Sequence, residues 1–135
     1  MNTSKSNRPA FKNAHLLVSI VVIIPIALAY GSSPTVILPK LFAINADNVN
    51  LAHIFRAMMG LYLAMAALWI AGIVKPKYWG TATITNIFFM GGLALGRLVS
   101  LAVDGPPSVY LLTGLAAEAT LAVWGLLNLK KYNRG

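Results

Sequence analysis

The sequence predicts an all-α integral membrane bundle of four transmembrane helices, with a short interfacial helix between helices one and two. Three observations point there. The chain is 58% hydrophobic and 10% charged over 135 residues, with a mean hydropathy of +0.71, whereas a soluble domain of this size needs about a quarter of its residues charged to cover its surface. Four apolar stretches, 14–31, 51–74, 79–103 and 108–129, have about 18 to 25 residues each, enough to cross a hydrocarbon core of roughly 30 Å. They are too long and too continuously apolar for the strands of a small barrel, and helix satisfies their backbone within lipid. The composition excludes a soluble enzyme, a disordered tail and a typical nucleic-acid binder, although the formal net charge is +8. With no cysteine, disulfides, thiolate metal sites and thiol nucleophiles are excluded as well.

The first span, Ala14 to Gly31, follows Lys5, Arg8 and Lys12 and contains Ala27-Leu28-Ala29, which resembles a signal-peptide cleavage site. Its apolar core from Leu16 to Tyr30 is longer than most signal cores, so a retained anchor is expected, bent at Pro25. The connection Ser32 to Asn50 is apolar for a loop. Pro34 suits a helix start and Pro39 limits its length, giving a short helix in the outer interface with Lys40 reaching water, either a lid on the bundle or a gate over a lateral opening. Asp104-Gly105-Pro106-Pro107-Ser108 ends the third span and offers Ser108 as N-cap for the fourth.

Orientation is read from charge. Lys5, Arg8 and Lys12, then Lys75 and Lys77, then Lys130, Lys131 and Arg134 all fall on one side of an even number of spans, against Lys40, Asp47 and Asp104 on the other. This positive-inside pattern predicts a multi-pass protein of the bacterial inner (cytoplasmic) membrane with both termini cytoplasmic. Residues 1–13 and 130–135 then form basic cytoplasmic tails around a transmembrane domain at 14–129. The tails read as topology signals and contacts for anionic lipid, not as a nucleic-acid surface.

Ionisable residues inside the spans are the departure that matters, because an unpaired charge at the bilayer centre costs at least about 2.5 kcal/mol. Arg56 is expected roughly 7 Å, Arg97 about 10 Å and Glu118 about 15 Å below the outer surface. An ion pair between Arg97 and Glu118 on adjacent antiparallel helices is therefore predicted. Asn86, Met90, Leu93, Arg97 and Asp104 share one helical face, turned toward a common neighbour. If Asp104 pairs with Arg56, no charge remains for a ligand; if Asp104 stays in water, Arg56 can meet a carboxylate or lipid phosphate.

Small residues line up on span two (Gly60, Ala64, Ala67, Ala71), on span four (Gly114, Ala117, Ala122, Gly125) and at Gly92 and Gly96, reading as seams within the bundle or between protomers. His53 lies one turn before Arg56, and His15 stands at the opposite end, so a haem held between them is excluded and each reads as a hydrogen-bonded interface residue. No metal-ligand spacing, cofactor motif or catalytic set is found. The aromatics Tyr30, Phe55, Tyr62, Trp69, Tyr78, Trp79, Tyr110, Trp124 and Tyr132 read as an interfacial belt.

The segments Asn50-Leu-Ala-His-Ile-Phe-Arg-Ala-Met-Met-Gly-Leu-Tyr62 and Phe89-Met-Gly-Gly-Leu-Ala-Leu-Gly-Arg-Leu-Val-Ser-Leu-Ala-Val-Asp-Gly-Pro106, with Glu118, resemble a bacterial four-helix membrane family of unknown function, domain-of-unknown-function family 4345. Tyr30-Gly-Ser-Ser-Pro34 and Leu38-Pro39-Lys-Leu-Phe42 fit it too. The resemblance covers roughly residues 30–129. It implies that Arg56, Arg97, Asp104, Gly105, Glu118 and the loop prolines belong to the family pattern, and it brings no activity.

The leading expectation is a non-catalytic accessory or lipid- and partner-binding subunit that uses a charged outer-half network of Arg56, Arg97, Asp104, Glu118, His53 and Asn86. Its partners would be membrane lipids and a homo-oligomer or larger membrane complex. The alternative is a small transporter or carrier of an anionic or amphiphilic compound, with Glu118 as a protonatable coupling group. An enzyme acting on lipid would need His53 as base, oriented by Asp104.

Overall fold

The structure, a computed structural model, describes residues 9–132; Lys5, Arg8 and Arg134 of the expected tails lie outside them. Five α-helices follow in order: α1 (Pro9–Gly31), α2 (Pro34–Phe42), α3 (Val49–Val74), α4 (Trp79–Asp104) and α5 (Val109–Tyr132). A single 3-10 turn, Pro76–Tyr78, joins α3 to α4. All but α2 are long and apolar enough to cross a membrane. The helix α1 is already formed at Pro9, the first described residue, ahead of the expected Ala14.

Around the bundle α1 packs on α3, α3 on α4, α4 on α5, and α5 returns to α1 through the thinner of these seams. Consecutive spans alternate in direction. One end therefore carries the start of α1, the α3–α4 turn and the finish of α5, with Lys12, Lys75, Lys77, Lys130 and Lys131; it is called the basic end below. The other end is capped by α2.

Small residues set the closest approaches. A Cβ added to Gly31 would stand 2.5 Å from Met59 Cβ, so the end of α1 can meet α3 only through glycine. On α5 the expected small face is inward, with Gly125 against Ile87 of α4. The corresponding face of α3 is not a seam within the chain: Gly60, Ala64 and Ala67 are exposed, as are Gly92 and Gly96 on α4. Helical spacing defines a face but not which neighbour it meets.

Pro34 occupies the first turn of α2 as expected, where a missing amide costs nothing. Pro39 does not end the helix, which runs on to Phe42 and closes through Ala43 in the left-handed region (φ 55°, ψ 34°), with the amides of Ala43 and Ile44 donating to the Leu38 carbonyl. Leu38 is buried on the bundle and Lys40 is exposed. Asn48 caps α3, its side chain accepting from the Asn50 amide at 2.7 Å. Gly105 (φ 94°) lets the chain leave α4, and the Ser108 carbonyl accepts from the amides of Leu111 and Leu112 to open α5.

The aromatic residues are not simply a belt. Tyr30, Tyr62, Trp69 and Trp79 are buried. Tyr30 meets Phe42, Phe55 and Tyr62 with ring centroids 5.5 to 5.7 Å apart, and Phe89 joins Tyr62 to Trp69. This chain of tilted and edge-on contacts fills the α1–α3–α4 interior. Tyr78 and Tyr110 stay exposed, as a belt requires.

Candidate functional site

The half of the bundle beneath α2 holds the ion pair that the spacing predicted. Arg97 Nε donates to Glu118 Oε2 at 2.8 Å, and this is the only ion pair among the described residues. Helix direction explains how they meet. Cα–Cβ bonds tilt toward the helix N-terminus, so Arg97 on α4 leans toward the basic end while Glu118 on antiparallel α5 leans toward α2. Seven residues in from Asp104 and nine in from Val109 place their Cα atoms at depths of about 10 and 14 Å, a difference the two leaning side chains close.

The carboxylate is buried, with 8% of its side chain exposed, whereas a quarter of Arg97 remains accessible at 25%. Arg97 Nη2 also donates to the Tyr30 hydroxyl at 3.5 Å, and the guanidinium lies along Gly114, 3.9 Å from where a Cβ would project. Of five guanidinium N–H groups, three are left uncommitted among the described residues.

Two openings converge on Arg97. A groove of about 270 Å³ runs between α1, α2 and α5, lined by Pro25, Ile26, Ala29, Tyr30, Leu41, Phe42, Arg97, Tyr110, Leu111 and Gly114. A smaller one of about 100 Å³ enters the α4–α5 side past Ser100, Leu101, Pro107, Leu111, Leu112 and Leu115. The larger lies at the thin α1–α5 seam, partly roofed by α2. It offers an apolar trough with one cationic donor at its floor.

The remaining expected site residues are not drawn into this pair. Asp104 is exposed and accepts from Ser100 Oγ at 2.8 Å. Arg56 donates from Nη1 to the Gly31 carbonyl at 2.8 Å, so the Arg56–Asp104 pair is not formed. A free helix-terminal carbonyl within reach competes with a carboxylate across the bundle. His53 is exposed near the start of α3 and forms no ion pair with Asp104 among the described residues. Asn86 shares the inward face of α4 with Arg97, but eleven residues separate them, about 16 Å along the axis.

Asn86 instead stands among polar residues that sequence reasoning did not assemble. His15 is buried; its Nε2 lies 3.1 Å from Thr83 Oγ1 and its Nδ1 2.9 Å from Asn128 Nδ2, which also donates to the Phe11 carbonyl at 3.3 Å. With Asn128 donating to Nδ1, the neutral ring carries its proton on Nε2 and donates to Thr83. The available signal was Glu118, Leu121, Gly125 and Asn128 recurring on one face of α5, opposite Thr83, Asn86 and Met90 on α4.

A family model described as Domain of unknown function (DUF4345) matches residues 11–129. The chain belongs to this family. Comparison with curated proteins gives no match, and comparison with solved structures gives none. The DUF4345 match extends the expected coverage through α1, so the His15 cluster lies inside the family domain along with Arg97 and Glu118.

Proposed function

We propose that this small membrane protein is a non-catalytic lipid-binding subunit of the bacterial inner membrane. In this reading a membrane lipid lays an acyl chain in the groove between α1, α2 and α5, and an acceptor oxygen of its headgroup meets the Arg97 guanidinium. The observation that carries it is the convergence of an apolar trough of about 270 Å³ on a cation with uncommitted donors. Lipid contact solvates the trough, and a headgroup oxygen supplies an acceptor for the donors that half-buried Arg97 has left over. Glu118 takes one edge of the guanidinium, holds it in place and keeps the empty site neutral. Arg56, exposed at the same end, favours anionic lipid in the surrounding leaflet. An accessory role in a larger assembly accords with the exposed small-residue face of α3.

Native mass spectrometry of protein extracted from its own membrane tests the reading. The natural chain is expected to retain a lipid. Ala29→Phe, which fills the trough, and the neutral pair Arg97→Gln with Glu118→Gln should each lower the ratio of lipid-bound to lipid-free protein roughly tenfold, the effect of losing about 1.4 kcal/mol. Retention unchanged in Ala29→Phe would remove the groove as the binding site.

A further inference from the structure

Beside the groove of the proposed function runs a second concavity, which that reading leaves unused. It measures about 420 Å³ and lies in the angle between α1 and α2, with Leu28 and Ser32 at the end of α1 and Ile37 and Lys40 on α2. Pro25, Ala29 and Leu41 line both troughs, so the two are neighbours with a common wall. The local sequence explains why the wall stands there. The helix α2 rests on the bundle through buried Leu38, and Leu41, three residues on, is left exposed. Pro25 and Ala29 lie one turn apart on a single face of α1.

Both troughs reach Pro25, six residues in from the end of α1 at Gly31 and about 9 Å below it, so they run side by side to the same depth. The second is apolar except at its mouth. There Ser32 Oγ donates back to the Leu28 carbonyl, and Lys40, exposed and without an ion pair among the described residues, is the charged group of the lining. The first trough has a cation in Arg97, already neutralised by Glu118. The surplus positive charge beside the common wall therefore belongs to Lys40, and it complements an anionic headgroup.

We infer, on the lipid-binding reading above, that the two troughs take the two acyl chains of a single anionic lipid, which straddles Leu41 and sets its headgroup by Lys40 with an oxygen toward Arg97. The ligand class narrows from any membrane lipid to one that carries two chains on one headgroup. Covalent linkage makes that class selective. Once the first chain is seated, the second enters its trough at high effective concentration, whereas two single-chain lipids must each be ordered independently.

Native mass spectrometry of the full chain in detergent, offered equal amounts of diacyl phosphatidylglycerol and its single-chain lyso form, tests the assignment. On the natural chain the diacyl adduct is expected to exceed the lyso adduct at least about tenfold. Leu28→Trp and Ile37→Trp fill the second trough from different helices, and neither residue lines the first. Each should lower the diacyl-to-lyso ratio roughly tenfold while the lyso adduct persists. Val123→Trp, which places the same ring on an exposed position of α5, should leave the ratio unchanged. Lys40→Gln should reduce the preference for diacyl phosphatidylglycerol over phosphatidylcholine of the same chains about fivefold, and an unchanged preference would remove the headgroup from Lys40. Equal retention of diacyl and lyso forms by the natural chain, or a ratio that the two second-trough variants lower no more than Val123→Trp does, would overturn the two-chain assignment and leave the groove with one chain. Retention of neither form would remove the groove itself as a lipid site.

Discussion

At a depth of about 10 Å a guanidinium persists only where its charge is answered, and here two helices leaning in opposite senses bring Glu118 to Arg97 Nε at 2.8 Å. Truncating Arg97 leaves the Glu118 carboxylate buried and uncompensated, a loss of about 3–5 kcal/mol, and truncating Glu118 leaves half-buried Arg97 without its countercharge. Arg97→Glu alone or Glu118→Arg alone should therefore cost most of the folded protein recovered from membranes. The combination should restore at least half of it, because the tilt that joins the pair depends on helix direction, not on which helix holds the cation. Recovery no better than in the single variants would show that the pair acts through something other than direct contact. This pair was legible because depth and facing both follow from residue number in a helix. The remaining polar placements were not. Arg56 turns to the Gly31 carbonyl, a partner exposed only where α1 ends, and the nest around His15 needs residues from three helices that share no spacing. A single Asn86 on an inward face cannot announce which polar group, if any, stands beside it.

The four long helices could be read almost to their ends, since hydropathy over so many residues leaves one stable state in lipid. The short α2 was legible as a helix but not in its termination. Pro39 was expected to limit it, yet a nine-residue helix loses just one amide bond to an internal proline, and the turn is made by Ala43 instead. An alanine at φ 55° carries a strain of about 1–2 kcal/mol that glycine does not. Ala43→Gly should accordingly stabilise the protein by about 1 kcal/mol, after the entropy that glycine loses on folding, measured by denaturant unfolding in detergent. A decrease would show that contacts of the Ala43 methyl outweigh the backbone term. The same turn determines how firmly α2 roofs the groove, through Leu38 packed on the bundle and Phe42 against Tyr30 at 5.5 Å. The helix α2 was expected as either a lid on the bundle or a gate over a lateral opening, but the position of the groove at the α1–α5 seam could not be anticipated, because sequence does not reveal which pair of helices packs most thinly.

On the scale of the whole molecule, the outside is the apolar surface and the polar groups are within. Phe88, Val103 and Val109 are each at least 75% exposed, while His15, Asn86 and Glu118 are buried, the inverse of a water-soluble bundle. Such a surface fixes the molecule in a bilayer but not which way up. The expected orientation rests on charge: Lys12, Lys75, Lys77, Lys130 and Lys131 gather at one end, and short segments rich in lysine and arginine are retained on the cytoplasmic side. The groove would then open to the outer leaflet. A chain without cysteine is suited to measuring this. Single replacements Asp47→Cys and Asp104→Cys, both at exposed positions by the α2 end, should react with a membrane-impermeant maleimide in spheroplasts. Lys77→Cys and Lys131→Cys should react only after the membrane is broken. The reverse pattern would place the basic end outside and give the groove lipids of the inner leaflet. Labelling at both ends in intact spheroplasts would mean dual insertion, and a charge bias of this size argues against it: the described α2 end offers Lys40 and Arg56 together with Asp47 and Asp104, whereas the described basic end offers five lysines and no carboxylate.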